Sequence, residues 1–176
     1  MELSKTVRRK HYDLKPDEHV MKRNEIEQVL GHGLPPALAD LLRPTGAPTT
    51  FEGDVRIKVI EPNQMTDKEG RQRLLVIFGM TTGQDGIVAK HDDYRGRFAR
   101  RCTPIAEDGM GNLFVIDAIS GQIKFWHHEC PEGEASPTAM TLVAENFEDF
   151  VSGLEVVQEV HDPELLRGVK SARFDF

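Results

Sequence analysis

The sequence predicts an α+β fold, a mostly antiparallel sheet with short helices packed on it, and three observations carry that expectation. Apolar residues recur at helical spacing in two short stretches near the start and again after Asn146, whereas most strand-like runs lie between residues 55 and 128. Two of those runs, NLFVID at 112–117 and GQIKFWHH at 121–128, are separated only by Ala118, Ile119 and Ser120, which reads as a hairpin with Gly121 in or beside the turn. Helices first, strands next and a helix last is the order of segregated layers rather than of alternating βα units.

Taken in order, the first helix opens at Asn24, with Glu27 completing a capping box, Ile26, Val29 and Leu30 on one face, and Gly31 at its end. Pro35 and Pro36 start a second, with Leu34, Leu38, Leu41 and Leu42 at helical spacing and Pro44 stopping it. The sheet then begins with VRIKVI at 55–60, where Val55, Ile57 and Val59 alternate with charged residues. A polar loop from Glu61 to Arg73 leads to LLVIFG, whose unbroken apolar run predicts a central strand. From Thr81 to Arg101 no element is predicted, and strand order returns with TPIA at 103–106. The third helix is capped by Asn146 and Asp149, with Phe147, Phe150, Val151 and Leu154 on one face.

The length of 176 residues fits one sizeable core, divided here into a polar arm at 1–23, a domain at 24–160, and an extension at 161–176 packed by Leu165, Leu166 and Phe174. MELSKTVRRKHYD has no apolar stretch, so no secretory leader is expected, and LLVIFGM is too short to span a bilayer. Cys102 and Cys130 form no CxxC pair, as expected of a reducing cytoplasm. The net charge of -7 is unevenly spread: residues 102–176 hold four Lys/Arg against fourteen Asp/Glu, while residues 1–23 hold seven against four. Such a field repels a polyanion and favours a basic partner, although a solvated acidic face is the plainer explanation.

Four stretches invite a chemical reading. DGMGN at 108–112 has neither the Gly-Lys-Ser/Thr of a phosphate loop nor a following helix, so its glycines read as supplying positive φ for a turn, with a calcium or phosphate site the minor alternative. WHHEC at 126–130 offers imidazole, carboxylate and thiolate, but on a strand His127 and Glu129 face one way while His128 and Cys130 face the other, and no zinc signature follows. Asp92 and Asp93 are adjacent loop acids with little claim to acid-base work. RGRFARR, with Tyr94 before it, mixes arginine and aromatic residues as nucleic-acid patches do, but the acidic C-terminal part opposes that use. No cofactor, metal, nucleic acid or membrane partner is expected.

Three blocks in order, LGHGLPPALADLLRPTGAP, PIAEDGMGNLFVIDAISGQIKFWHHE and NFEDFVSGL, resemble the SUKH superfamily, the group that includes the fungal Smi/Knr cell-wall regulators and many bacterial immunity proteins. The matching positions are Leu34 and Pro35; Pro104, Ile105, Ala106, Asp108, Gly109, Gly111 and Asn112; Asp117, Gly121, Ile123, Trp126, His128 and Glu129; and Phe147 and Phe150. Asn146 stands where the family usually has serine, and Thr45-Gly46-Ala47 where it has Asn-Gly-Gly. The resemblance implies a non-enzymatic protein-binding domain whose shared motifs are architectural, and in bacteria a protein that neutralises a cognate toxin, often a nuclease, by capping it. A regulatory scaffold like the fungal relatives is the alternative, and a metal-dependent enzyme using His128 or Asp108 is a more remote one. For a basic partner, the acidic contacts expected are Glu132, Glu134, Glu145, Glu148, Asp149 and Glu155.

Overall fold

A computed structural model of the chain describes residues 6–10, 12–98 and 101–158. The expected extension at 161–176, with Leu165, Leu166 and Phe174, lies outside the described residues, as do the last two residues of the 24–160 domain. Among the described residues, eight strands, β1 (Arg9–Lys10), β2 (Thr49–Lys58), β3 (Arg71–Ile77), β4 (Cys102–Glu107), β5 (Leu113–Asp117), β6 (Ile123–Trp126), β7 (Met140–Ala144) and β8 (Leu154–Val157), form one antiparallel sheet. Strands β1 to β7 lie side by side in chain order, and β8 returns to pair with β2. The residues after β2 close the curve: Ile60 N and Glu61 N donate to Val143 O and Leu142 O on the far edge of β7, at 3.2 and 2.8 Å. An edge that would otherwise offer unpaired backbone groups is thereby covered.

The short helices α1 (Arg23–Leu30), α2 (Pro36–Leu42), α3 (Ile87–Asp93) and α4 (Phe147–Ser152) cover the sheet. Cross-strand partners point to the same face. Phe114 and Phe125, paired across β5 and β6, therefore meet Phe150 of α4 on one side, with ring centroids 5.3 Å apart in both the Phe114–Phe125 and Phe114–Phe150 pairs. Leu113 and Trp126, the next pair, face the other side, where Tyr94 and Phe98 close over the indole. All four residues Leu113–Ile116 are consequently buried, and each large apolar side chain so buried contributes about 1.5–3 kcal/mol.

Several local expectations are corrected. The first helix is capped at Lys22 rather than Asn24, with Lys22 N donating to Glu25 at 2.9 Å. Glu27 instead reaches forward, accepting from Leu34 N at 2.8 Å and from Arg23 at 2.7 Å, which ties α1 to the start of α2. The first long strand starts at Thr49, six residues early, because the register shifts between Thr50 and Val55, where Gly53 sits at φ 79°, and that shift breaks the alternation. The loop expected from Glu61 to Arg73 ends three residues sooner, at Gly70, since Arg71 already pairs with Lys58. The segment 81–101, read as lacking an element, contains α3, whose one fully buried residue is Ile87. Leu154 belongs to β8, paired with Ile57, rather than to the last helix, which ends at Ser152. Asn146 caps α4 as expected, its Oδ1 accepting from Asp149 N at 2.8 Å.

The arm residues 6–10 and 12–22 run along the domain. Val7 is buried, β1 pairs with β2, Arg9 donates to Leu41 O at 2.8 Å, and Met21 N donates to Met80 O at 2.7 Å.

Candidate functional site

The DGMGN stretch folds into a tight turn built around a buried carboxylate. Asp108 Oδ1 accepts from Met110 N at 2.8 Å and Asn112 N at 3.3 Å, and Oδ2 accepts from Asn112 Nδ2 at 2.8 Å. Both side chains are buried, so these donors stand in for water. Gly109 and Gly111 hold φ of 84° and 86°, where a side chain is strained. Both sites are also tight: a Cβ on Gly109 would lie 2.7 Å from the end of the Leu75 side chain, and one on Gly111 would lie 3.0 Å from the ring of His128, so each neighbour would have to shift. Met110 is left at the tip, half exposed.

Asn112 carries the network onward. Its Oδ1 accepts from His128 N at 3.2 Å and from His128 Nδ1 at 2.9 Å. With Asn112 Nδ2 donating to Asp108, this arrangement places the ring hydrogen on Nδ1 and leaves Nε2 facing Glu129, 3.7 Å from Oε1. The chain of bonds orders two turns and ends at His128, beside the exposed Glu129 carboxylate.

The WHHEC reading is overturned in its geometry. Strand β6 ends at Trp126, so the alternation of side chains stops there. His128 turns to Asn112, while His127 and Cys130, expected on opposite faces, line one cavity. Among the described residues no group of three or more His, Cys, Asp or Glu is placed to hold a metal ion.

The other motif positions mark the starts, ends and partners of the surrounding elements. Pro35 immediately precedes α2, and Pro104 lies in β4 opposite Val115. Asp117 ends β5, where Ile119 N donates to it at 3.0 Å and Lys124 at 3.1 Å, and Gly121 N closes the hairpin onto Asp117 O at 2.8 Å with φ 76°. Trp126 Nε1 donates to Glu134 O at 3.0 Å.

The six acidic residues expected to meet a partner fall into two groups. Glu134 pairs with Arg97, whose guanidinium lies 4.8 Å from the Trp126 ring and 5.4 Å from the Tyr94 ring. Glu155 lies 3.5 Å from Arg71. Glu132, Glu145, Glu148 and Asp149 form no ion pair with lysine or arginine among the described residues. Glu132 is contacted by Cys130 and Thr138, Glu145 by Gln122, and Asp149 by Asn146. The Tyr94–Arg97–Phe98 clamp on Trp126 is the feature that sequence reading missed; its signal was two aromatic residues four apart, Tyr94 just before RGRFARR and Phe98 within it, with arginine between them. Arg97 and Phe98 face the protein in that clamp, while part of the same basic run lies outside the described residues.

A turn of this form, leading into a strand hairpin that ends in Trp-His-His-Glu and is followed by an Asn-capped helix, invites comparison with known families. The family model of the SMI1 / KNR4 family (SUKH-1) matches residues 23–153. The chain belongs to the SUKH-1 family. No curated protein and no solved structure matched it in parallel searches. SUKH-1 proteins are generally non-enzymatic and often serve as immunity proteins. In this SUKH-1 chain the matched span runs from the first residue of α1 to the residue after α4, and so contains both turns of the Asp108–His128 network. No helix among the described residues is long and apolar enough to cross a membrane.

Proposed function

We propose that this protein is a cytoplasmic immunity protein that binds and neutralises a cognate bacterial toxin with a basic surface, a nuclease being the class that fits best. The observation that carries the reading is the set of solvent-facing carboxylates that have no lysine or arginine partner among the described residues: Glu132 in the loop after β6, and Glu145, Glu148 and Asp149 around the start of α4. An acid already bound to arginine contributes little outward field. An unpaired one steers a basic partner and is worth most in the association rate. A nuclease domain, built to hold a polyanion, presents the complementary charge. On this reading the Asp108–Asn112–His128 network is scaffold and the acids are contact surface.

The test is affinity capture from a lysate of the source organism with the native chain and with a Glu145→Lys/Glu148→Lys variant, followed by mass spectrometry. A basic toxin recovered by the native chain and lost by the variant supports the reading. Recovery of the same housekeeping complex by both chains overturns it in favour of a regulatory scaffold.

A further inference from the structure

A cavity of about 270 Å3 opens where the residues after β2 meet the β6–β7 edge, and Asn63, Gln64, His127, Cys130, Glu132 and Thr138 contribute to its wall. The wall is organised by its own hydrogen bonds. Asn63 Nδ2 donates to Thr141 Oγ1 at 3.0 Å, and Asn63 Oδ1 accepts from Met65 N at 2.8 Å. Cys130 Sγ donates to Glu132 Oε2 at 3.1 Å, and Thr138 Oγ1 reaches the same oxygen at 3.4 Å. The Cys130 thiol, aided by Thr138 and the neighbouring His127, holds the Glu132 carboxyl below its ordinary range, so it is an anion at neutral pH.

That anion has no lysine or arginine partner among the described residues, unlike Glu134 with Arg97 and Glu155 with Arg71. A further hydrogen bond comes from Glu132's own backbone amide, which supplies no counter-charge. An anionic ligand would be repelled by Glu132, and a purely apolar one would strip water from the carboxylate and the amides without replacing its hydrogen bonds. A cationic head on a hydrocarbon stem satisfies both requirements, since Pro62, Phe125 and Ala139 supply apolar wall for the stem.

We propose that this cavity receives a basic side chain, arginine or lysine, of the protein partner, with Glu132 as its counter-ion. The partner's identity rests on the protein-binding reading above; the chemistry of the cavity does not.

The test titrates the full chain, followed by backbone amide NMR, with N-acetyl-arginine methylamide, N-acetyl-lysine methylamide and the uncharged N-acetyl-norleucine methylamide. Shifts from a cationic probe should concentrate on residues 127–132, Thr138 and Thr141, and the norleucine probe should not reproduce them. Glu132→Gln, which keeps the shape and an acceptor, should weaken the cationic probe by about tenfold or more, the worth of a charge-assisted hydrogen bond. Asp40→Asn, on α2 and away from the cavity wall, should change nothing. Absence of localised shifts with both cationic probes, or their retention in Glu132→Gln, overturns the proposal. Since the probes are free amino-acid derivatives, failure here sinks the cavity alone, whereas failure of the capture experiment sinks the toxin reading alone.

Discussion

Asp108 and Asp67 are both held by several donors, yet they are held in opposite ways. Asp108 is fully buried and bound by two backbone N–H groups and one amide, with no cation in contact among the described residues. Asp67 sits near the surface between Arg71 and Arg56, each 2.8 Å away, in a lattice that also takes in Asp54, Glu69 and Glu155. The first arrangement fixes a shape and is insensitive to salt; the second stores charge and is screened. Shape is what the buried turn supplies, because a one-atom displacement there moves two glycines and a histidine together.

The contrast is broken most severely by Asp108→Ala. It strands Met110 N, Asn112 N and Asn112 Nδ2 in a buried setting, and urea unfolding should show a loss of about 3 kcal/mol or more. Next comes Gly111→Ala, which forces a Cβ to φ 86° and against the His128 ring, for a loss of about 1–3 kcal/mol in the same assay. Neither loss should depend much on salt.

The smallest effect is that of Asp67→Asn, about 1 kcal/mol near neutral pH, and it is the one that salt should erase. Its signature is the acid limb. Burial pushes the Asp67 carboxyl up, but hydrogen bonds from Arg71 and Arg56 outweigh it and bring the value down to about 2. Because the folded value lies below that of the unfolded chain, about 3.9, the stabilisation is complete above the unfolded value and is lost as pH falls from about 4 through about 2. The asparagine variant should therefore show a flatter stability curve across that window, and an unchanged slope would remove Asp67 from the lattice's energetics.

Legibility in the sequence followed the range of the interactions. Asn146 with Asp149, and Asp108 with its glycines, act within four residues, so turn and cap chemistry read them directly. Alternation exposed Val55, Ile57 and Val59 because one face of that strand is buried and the other carries charge. The helix Ile87–Asp93 escaped because it presents a single fully buried residue and no cap side chain, leaving no periodic signal. The bond from His128 to Asn112 spans sixteen residues and that from Arg97 to Glu134 spans thirty-seven, and no local pattern announces either. For the candidate contacts this matters most: which acids are neutralised internally depends on tertiary pairing, while composition registers only their total.

The most direct measurement is the association rate of the captured partner as a function of salt, for the native chain, Glu145→Lys/Glu148→Lys and Gly111→Ala, each in the folded state. If the acids recognise and the turn only shapes, the native rate falls steeply with salt, the charge-reversed chain is slow at low salt, and Gly111→Ala matches the native chain throughout. A rate independent of salt, or one slowed by Gly111→Ala and untouched by charge reversal, would contradict that division of labour.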